Sequence, residues 1–405
     1  MGKLQRYPSF ESYDVVIVGG AIMGSAAAWY LSHSTGFDGR ILVVERDMSF
    51  EKTSTAHTTS CIRQQFSLPL NIEISQYAAQ FIENLSDYMG EDADVPDLKI
   101  DSYGYLYLAA DEVQADTLRN NQVIQRKTGT PTELLSPQVI AERYPFMRVD
   151  DLCLGSINTQ NEGYFDGWAL FDAFRKNALG SGVEYIENEV IAFGRDRLTG
   201  HITSVRLASD HDVVCGSVVN ASGPRAAHVA AMAGVNVPVE PRKRFSWVFR
   251  SETPLQCKLP LTIDPTGVHV RDNGGGTYQA GGHDDADIAV DVDDFLMNPS
   301  LWQDHIWPSL ANRIPQFERV RVLSEWAGHY AFNTFDQNAI VGPHPEIENY
   351  LFMNGFSGHG LQQAPAMGRG IAEWLTHGVY ETLDLSPFHF DRVLSNTPYV
   401  ETAVI

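Results

Sequence analysis

Residues 14–24, which read DVVIVGGAIMG, decide the fold of this chain. The short and almost wholly apolar run 14–18 predicts a parallel strand that is buried on both faces. The glycines that follow lead into the small residues of 25–31, which predict a helix packed closely against a sheet. A second apolar run, 41–44, predicts another buried strand, and it ends on Glu45.

A strand, a glycine turn, a helix and a strand that ends on an acid form the pattern of a dinucleotide-binding unit. Its glycines let the backbone approach a pyrophosphate, its helix start faces the negative charge, and its acid binds a ribose hydroxyl. Ala21 stands where the pattern has its second glycine, and its methyl group intrudes on that approach. The alternative is a strand-to-helix turn that binds nothing. The residues predicted to contact a cofactor here are Gly19, Gly20, Ala21, Ile22, Met23, Gly24, Glu45 and Arg46.

Size and composition bound the classes of function. The chain has 405 residues, 43% of them hydrophobic, which is enough for a sizeable core and two or three structural units. Its formal net charge of -22 disfavours nucleic acids and anionic membrane surfaces as partners. No apolar run is long enough to span a bilayer. The four cysteines are scattered without a CxxC pair, so we predict reduced thiols in a cytoplasmic protein and no metal site.

A second glycine-rich turn lies near the end of the chain. Residues 351–354 predict a strand, 355–360 read GFSGHG, and 361–375 predict a helix. A strand again delivers a glycine turn to the positive end of a helix, where the negative charge of a reduced flavin would be stabilised. The alternative is an ordinary turn between a strand and a helix.

Several motifs resemble the D-amino-acid oxidase, glycine oxidase and sarcosine oxidase family of flavoproteins, here the DAO family. They are 62–69 (IRQQFSLP), 238–244, 326–328 (WAG), 333–338 (NTFDQN), 341–345 (VGPHP) and 355–367. The resemblance covers about 14–390. It implies an α/β fold in which a doubly wound FAD-binding domain, of the glutathione-reductase/DAO type, carries an inserted mixed β-sheet substrate domain. We predict the FAD-binding domain at 12–95, 151–238 and 326–390, the substrate domain at 96–150 and 239–325, and a C-terminal tail at 391–405.

The resemblance also implies an activity. The family oxidises amines by moving hydride from the carbon next to nitrogen to FAD, so we predict oxidation of a small secondary or tertiary amine, such as an N-methyl amino acid. The electron acceptor is oxygen or another carrier, and the oligomeric state is open. Two alternatives remain: a flavin-bearing assembly factor for respiratory complex I, and a subunit of a multi-subunit sarcosine-type oxidase. Against the latter, Phe165 stands about where that subunit would carry its FMN-linking histidine.

The same resemblance implies residue roles. Arg63 matches an arginine beside the flavin and is predicted to anchor a substrate carboxylate. Gln362 and Gln279 stand where sarcosine oxidase has lysines, one that binds carboxylate and one that promotes reaction with oxygen. The missing charge at 362 points away from a simple amine with an acidic head group, and the neutral side chain of Gln279 makes a dehydrogenase with another acceptor credible. His359 is predicted to hydrogen-bond the flavin ring, with a role in backbone spacing as the alternative. Tyr330 and Tyr278 are predicted to line the pocket, with ordinary core positions as the alternative.

Two positions bear on a covalent flavin. Gly328 replaces the flavin-linking cysteine of sarcosine oxidase, and His57 lies close to the linking histidine of dimethylglycine dehydrogenase. The other predicted cofactor contacts are Ser54, Thr55, Val190, Ala221, Ser222, Gly223, Gly358, Gly360 and Leu361, with Arg63, His359 and Gln362 also at the flavin.

Overall fold

The computed structural model describes residues 5–90, 93, 95–284 and 286–403. Residues 91, 92, 94, 285, 404 and 405, which fall in the predicted domains and tail, lie outside the described residues. The strands are β1 (Ser12–Val18), β2 (Ile41–Glu45), β3 (Cys61–Ile62), β4 (Tyr105–Ala109), β5 (Glu133–Leu135), β6 (Leu154–Asn158), β7 (Gly163–Tyr164), β8 (Glu184–Glu187), β9 (Val190–Arg195), β10 (Ile202–Leu207), β11 (Asp212–Asn220), β12 (Val239–Ser251), β13 (Leu261–Ile263), β14 (His269–Gly274), β15 (Thr277–Gly282), β16 (Val320–Asn333), β17 (Ile340–Pro343) and β18 (Tyr350–Asn354).

The helices alternate with these strands in the first part of the chain and at its end. They are α1 (Ile22–Ser32), α2 (Pro69–Glu83), α3 (Leu85–Met89), α4 (Glu112–Lys127), α5 (Pro137–Arg143), α6 (Gly167–Gly180), α7 (Ala226–Met232), α8 (Pro299–Leu301), α9 (Trp307–Arg313), α10 (Gly360–His377) and α11 (Asp391–Leu394). The side chains of Ser136 and Asp166 cap α5 and α6, as their positions in the sequence predict.

The first sheet carries the dinucleotide-binding unit. Its strands run in the order β17-β18-β11-β1-β2-β8, and all neighbours are parallel except β17 and β18. β9 and β10 form an antiparallel arm beside β11. The chain goes from β1 to β2 on one side and later reaches β11 on the other. Ligands bind at such a reversal, outside the carboxyl ends of the strands, which here are followed by Gly19 and Ala221.

Alternating side chains give the first sheet two buried faces. Val15 and Ile17 of β1 pack in the core formed with helices α1, α2, α6 and α10, whereas Val16 and Val18 pack on the opposite face with α7. Helices α1 and α10 approach each other closely. A Cβ added at Gly368 of α10 would stand 2.7 Å from the backbone of Ala26 of α1. Small residues thus hold the two helices beside each other.

The second sheet has the strand order β16-β12-β15-β14-β13-β4-β6-β5 and is antiparallel apart from the β13-β4 pair. One face forms a separate core that contains Leu106, Val270 and Ala280. Their neighbours along the strands, which include Tyr105, His269 and Gln279, lie on the opposite face. The predicted combination of a doubly wound domain and a mixed sheet is therefore confirmed.

The domain bounds stay a prediction. β6 pairs with β4, and β16 pairs with β12, so both strands belong to the second sheet. The predicted bounds place β6 and residues 326–333 of β16 in the FAD-binding domain instead. The pairing of β6 with β4 joins residues about fifty positions apart, and hydrophobic periodicity carries no information on such a contact.

Candidate functional site

A long cleft follows the carboxyl ends of β1, β2 and β11 and continues to the start of α10. At one end, the nucleotide end, its walls include Gly19, Glu45, Val190 and Ala221; at the other end they include His57, Tyr330 and Phe356. Of the residues predicted to contact the cofactor, those that line the cleft are Gly19, Ala21, Ile22, Met23, Glu45, Arg46, Ser54, Thr55, His57, Val190, Ala221, Ser222, Gly223, Gly328, Gly358, Gly360 and Leu361.

The first glycine turn is built by close backbone contacts. Gly19 has a φ of +100°, and a Cβ there would lie 2.5 Å from the carbonyl oxygen of Ala221. A Cβ at Gly24 would lie 1.9 Å from the carbonyl oxygen of Gly19. Gly24 does not line the cleft, but it lets α1 begin directly against the turn. Ala21, the residue before α1, gives the helix no side-chain cap. The N–H of Ile22 donates to Oγ1 of Thr55 at 3.4 Å, and Ala21, Ile22 and Met23 line the cleft.

Glu45 closes the nucleotide end from β2. Its Oε2 accepts a 2.8 Å hydrogen bond from the backbone N–H of Gly20, and its Oε1 accepts one of 3.1 Å from Asp47. Burial raises the pKa of this carboxyl group, and the two N–H donors oppose the shift. Each oxygen keeps a further lone pair, which is the acceptor that a ribose hydroxyl requires.

The second glycine turn shapes the far end of the cleft. Gly358 has a φ of +92°, and a Cβ there would lie 2.4 Å from the ring of Tyr330. His359 begins α10 without a side-chain cap. A Cβ at Gly328, on the facing strand β16, would lie 2.5 Å from Cβ of His57. Glycine at these positions leaves space for Tyr330 and His57 in the wall of the cleft.

A smaller cavity, the side pocket, adjoins the far end of the cleft. Its shared wall, which lines both cavities, consists of Thr58, Thr59, His269, Tyr330, Gly358 and Leu361. Its remaining lining residues are Cys61, Arg63, Tyr105, Leu261, His359 and Gln362. Four residues with predicted roles therefore meet here: Arg63, Tyr330, His359 and Gln362.

Arg63 is the centre of the polar contacts in the side pocket. It is 2% exposed, and its guanidinium donates to the carbonyl oxygen of Gln65 (2.8 Å), to Nε2 of His359 (2.8 Å) and to the carbonyl oxygen of Ala403. It lies over the ring of Phe66, 4.1 Å from the ring centroid. Three of its five N–H bonds are thus used, which leaves two for a ligand.

His359 is held neutral by this arrangement. A guanidinium can only donate, so Nε2 of His359 accepts and the proton of the neutral ring lies on Nδ1. Burial, followed by the charge of Arg63, lowers the pKa of His359 well below its usual range. His359 therefore orients the guanidinium and adds no positive charge of its own.

A family model described as FAD dependent oxidoreductase, DAO, matches residues 14–374. The chain belongs to the DAO family. Among its relatives, the FAD-dependent oxidoreductase domain-containing protein 1 of Xenopus laevis is 36% identical over 427 residues, which cover 98% of this chain and 85% of that protein. Mitochondrial sarcosine dehydrogenase of Mus musculus is 25% identical over 403 residues, which cover 96% of this chain and 42% of that protein.

The solved structures agree with this family. L-proline dehydrogenase from P. horikoshii superposes with a TM-score of 0.83 at 25% sequence identity, over 96% of this chain and 99% of that one. As a member of the DAO family the chain is a FAD-dependent oxidoreductase, so the predicted family, cofactor and enzyme class are confirmed. When bound, FAD supplies the acceptor for a hydride.

The chain has the features that a DAO-family cofactor needs. The glycine turns keep side chains out of the cleft at Gly19 and Gly358, and two uncapped helix starts offer N–H donors to negative groups. We expect the α1 start and Glu45 to hold the nucleotide half, and the α10 start with residues 328–330 to hold the flavin half.

Gln362, which stands where sarcosine oxidase has a lysine, is neutral and hydrogen-bonds the protein backbone. Its Oε1 accepts a 2.8 Å hydrogen bond from the backbone N–H of Arg63, so it fixes the main chain that carries the guanidinium. A buried carboxylate supports the same segment from the other side, because Glu162 accepts from the backbone of Gln64 (2.6 Å) and the amide of Gln65 (2.9 Å). Burial raises the pKa of Glu162 to about 7.

Two predicted residues lie elsewhere. Gln279 lines neither cavity; its Oε1 accepts a 2.6 Å hydrogen bond from Arg271, which stands opposite it on β14. Tyr278 belongs to the core of the second sheet, where its hydroxyl accepts from the backbone of Leu255 at 2.8 Å. The predicted pocket position of Tyr278 is therefore wrong, because residues 278 and 279 alternate across the strand.

The cavity-lining residues that sequence reasoning missed include Cys61, Tyr105, Arg244 and His269. Tyr105 is followed by Leu106, and His269 stands between Val268 and Val270; these three apolar neighbours face the core of the second sheet. That alternation was the available signal, since it sets these polar side chains apart from the core face.

The end of the described chain reaches the same place. Glu401 is fully buried and accepts hydrogen bonds from the backbone of Ser67 (2.8 Å) and from Asn71 (2.9 Å). Asn338 donates to the carbonyl oxygen of Tyr399, and Arg63 to that of Ala403. Residues 399–403 therefore pack against the segment that carries Arg63.

Within the described part of the chain, no helix combines the length and the apolar character needed to cross a bilayer. Among the same residues, no group of three or more His, Cys, Asp or Glu side chains is arranged to hold a metal ion.

Proposed function

We propose that the chain oxidises the C–N bond of a small secondary or tertiary amine that carries a carboxylate, such as an N-methyl amino acid. The observation that carries the proposal is the side pocket, which is lined by a buried guanidinium and shares a wall with the cofactor cleft. The named substrates of two similar enzymes, sarcosine and L-proline, are secondary amines with a carboxylate.

The chain's own residues have three tasks in this reaction. Arg63 binds the carboxylate through its remaining N–H bonds and so fixes the distance from that end to the reacting carbon. Tyr105, Leu261 and Leu361 exclude water from the C–N bond. With FAD bound as the hydride acceptor, these residues would hold the amine so that its nitrogen lone pair could form the C=N bond.

Anaerobic mixing tests the proposal. We expect sarcosine, N,N-dimethylglycine or L-proline to bleach the flavin absorption, whereas dimethylamine, trimethylamine and pyrrolidine, which lack the carboxylate, do not. Arg63→Gln should raise the apparent Kd of the reactive amino acid roughly 10- to 100-fold, the effect of losing a hydrogen bond to a charged group. Arg206→Gln, which alters an exposed ion pair with Asp212, is the matched control.

One result would refute the proposal. If chemical reductant bleaches the bound flavin but no amine in the panel does, the chain does not turn these substrates over. The alternative of a flavin-bearing assembly factor for respiratory complex I predicts that result. Purification as a single active chain would count against the alternative of one subunit of a multi-subunit oxidase.

We propose that FAD is bound without a covalent link. Gly328 has no side chain to link, and Nδ1 of His57 donates to the carbonyl oxygen of Thr53 at 3.1 Å, so Nε2 is the ring nitrogen left for a link. Acid precipitation should leave all the flavin in the supernatant; flavin in the pellet of the wild type but not of His57→Gln would disprove this.

The electron acceptor and the location are also predictions. Gln279 is neutral, and the guanidinium nearest to it is bound to it rather than turned to the cleft, so we propose slow reoxidation by oxygen and a different physiological acceptor. Stopped-flow mixing of reduced protein with oxygen tests this. The cytoplasmic location predicted from the sequence stays a prediction.

A further inference from the structure

His269 is a polar side chain that the proposed reaction has not used. It lies on β14 between Val268 and Val270, which both face the core of the second sheet, and its ring lines both the cleft and the side pocket. Its Nδ1 is buried and has no hydrogen-bond partner in the part of the chain that the structure describes. The ring is only partly buried, and since Nδ1 is closed off, a ligand in the cavities would meet the other ring nitrogen, Nε2.

The fold leaves space for this ring. Gly281 pairs with His269 on the neighbouring strand β15, and a Cβ at Gly281 would lie 2.4 Å from Nε2 of His269. Any other residue at 281 would push the imidazole from its position. The placement of His269 on the shared wall thus depends on a glycine that faces it.

The groups around His269 keep it uncharged. Burial, followed by the charges of Arg244, His283 and Arg271, lowers the pKa of His269 to about 4. Arg244 comes from β12, Arg271 from β14 itself and His283 from the residue after β15, and Tyr330 faces the same wall from β16. Near neutral pH the imidazole is therefore a hydrogen-bond acceptor, and its surroundings disfavour a further positive charge.

The position fixes which part of a substrate meets His269. An amine held by its carboxylate at Arg63 must bring its reacting carbon to the shared wall, because only that wall adjoins the cofactor cleft. Its nitrogen, bonded to that carbon, lies at the same wall. Oxidation needs the nitrogen lone pair, so the amine reacts as the neutral base after its extra proton has passed to solvent. A neutral secondary amine has one N–H to donate, and a neutral tertiary amine has none.

We propose that His269 is a positioning and specificity-determining residue, which accepts a hydrogen bond from the N–H of a neutral secondary amine. This inference rests on the proposed function. The side pocket then takes secondary amino acids in preference to their N-methylated tertiary forms. The bonds balance: the C–H pair passes as hydride to FAD, the nitrogen lone pair becomes the C=N bond, and the product is an iminium ion.

The test compares two substrate pairs, sarcosine with N,N-dimethylglycine and L-proline with N-methyl-L-proline. Flavin reduction is followed anaerobically in wild type, His269→Leu and His269→Gln, after the FAD content of each has been measured. We expect wild type to favour the secondary amine, and His269→Leu to lower its rate about 10-fold while the tertiary amine changes less than about twofold. His269→Gln, which keeps an acceptor, should recover part of the loss. His377→Gln, which changes an exposed histidine at the end of α10 that lines neither cavity, is the control.

The outcomes separate the two proposals. If no amine of either pair reduces the wild-type flavin, the proposed function fails and this inference with it. If both amines of a pair reduce it and their ratio is the same in His269→Leu, the inference alone is wrong. If His269→Leu loses FAD while the ratio of the secondary-amine rate to the tertiary-amine rate stays the same, His269 contacts the cofactor and the inference is again wrong. Should His269→Leu not fold, Gly281→Ala serves instead, since it keeps the imidazole but displaces it, and the same ratio decides.

Discussion

Substitution of Gly24 by alanine tests whether the first glycine turn forms the cofactor site. The new Cβ would lie 1.9 Å from the carbonyl oxygen of Gly19, whereas real Cβ contacts are essentially never below 3.0 Å. The turn and α1 must therefore separate by about 1 Å. Overpacking of this kind costs about 1–3 kcal/mol, and it outweighs the gain of up to about 1 kcal/mol from alanine in a helix.

Gly180 offers a matched control. It also lies in a helix, at the end of α6, but a Cβ there would meet nothing within 4 Å. Gly180→Ala should therefore be neutral or stabilising by up to about 1 kcal/mol. Gly24→Ala should unfold at lower denaturant and, because the first N–H groups of α1 shift by a large part of a hydrogen-bond length, bind FAD at least about 10-fold more weakly.

The measurements are the FAD content after gel filtration, the Kd of added FAD by flavin fluorescence and the free energy of unfolding of the FAD-free proteins. The third measurement separates a weakened site from a weakened fold, because bound FAD itself adds apparent stability. If Gly24→Ala keeps its full FAD content and has the same free energy of unfolding as Gly180→Ala, the assigned role of the turn is incorrect.

Three further changes have expected outcomes. Gly358→Ala places a Cβ 2.4 Å from the ring of Tyr330 at a φ of +92°, so flavin reduction by substrate should slow at least about 10-fold; the rate of anaerobic bleaching checks this. Arg392→Met leaves the fully buried carboxylate of Asp336 without its bidentate partner and should cost about 3–5 kcal/mol in urea unfolding; a loss below about 1 kcal/mol would contradict it. Glu162 has a raised pKa of about 7 in the folded chain, so it keeps its proton longer than in the unfolded chain. Its contribution to stability is full below about pH 4.5 and is lost as the pH rises towards 7, by up to about 3 kcal/mol. Glu162→Gln should flatten that dependence, and an unchanged slope between pH 5 and 7 would show that another group causes it.

Much of the first sheet could be predicted from the sequence because its signals are local. β1, the turn at Gly19, α1 and β2 follow one another within about thirty residues, and the second glycine turn has the same local pattern. Helix α4 was not predicted, since only Ala115 and Gln125 are buried along it and an exposed helix has little hydrophobic periodicity. The arm formed by β10 was missed as a strand as well.

The glycine turns of the candidate site could be predicted from the sequence, because each is a local pattern. The contacts between residues far apart in the chain could not. The glycine turns lie at the cleft as expected. The contacts of Arg63 come from Gln65, His359 and Ala403, and no spacing in the sequence indicates that these residues converge. His269 stands in a segment that was predicted as a strand, but which face of that strand meets the cofactor depends on how the two sheets pack.

The packing of residues 399–403 against the Arg63 segment has a practical consequence for work with this protein. A purification tag joined after residue 403 would emerge next to the guanidinium that is proposed to bind substrate, so a tag ahead of β1 is the safer choice. Limited proteolysis before Tyr399 would strip one acceptor from Arg63 and uncover the polar groups that hold Glu401. Nicked and intact preparations should then differ in substrate affinity while retaining the same colour.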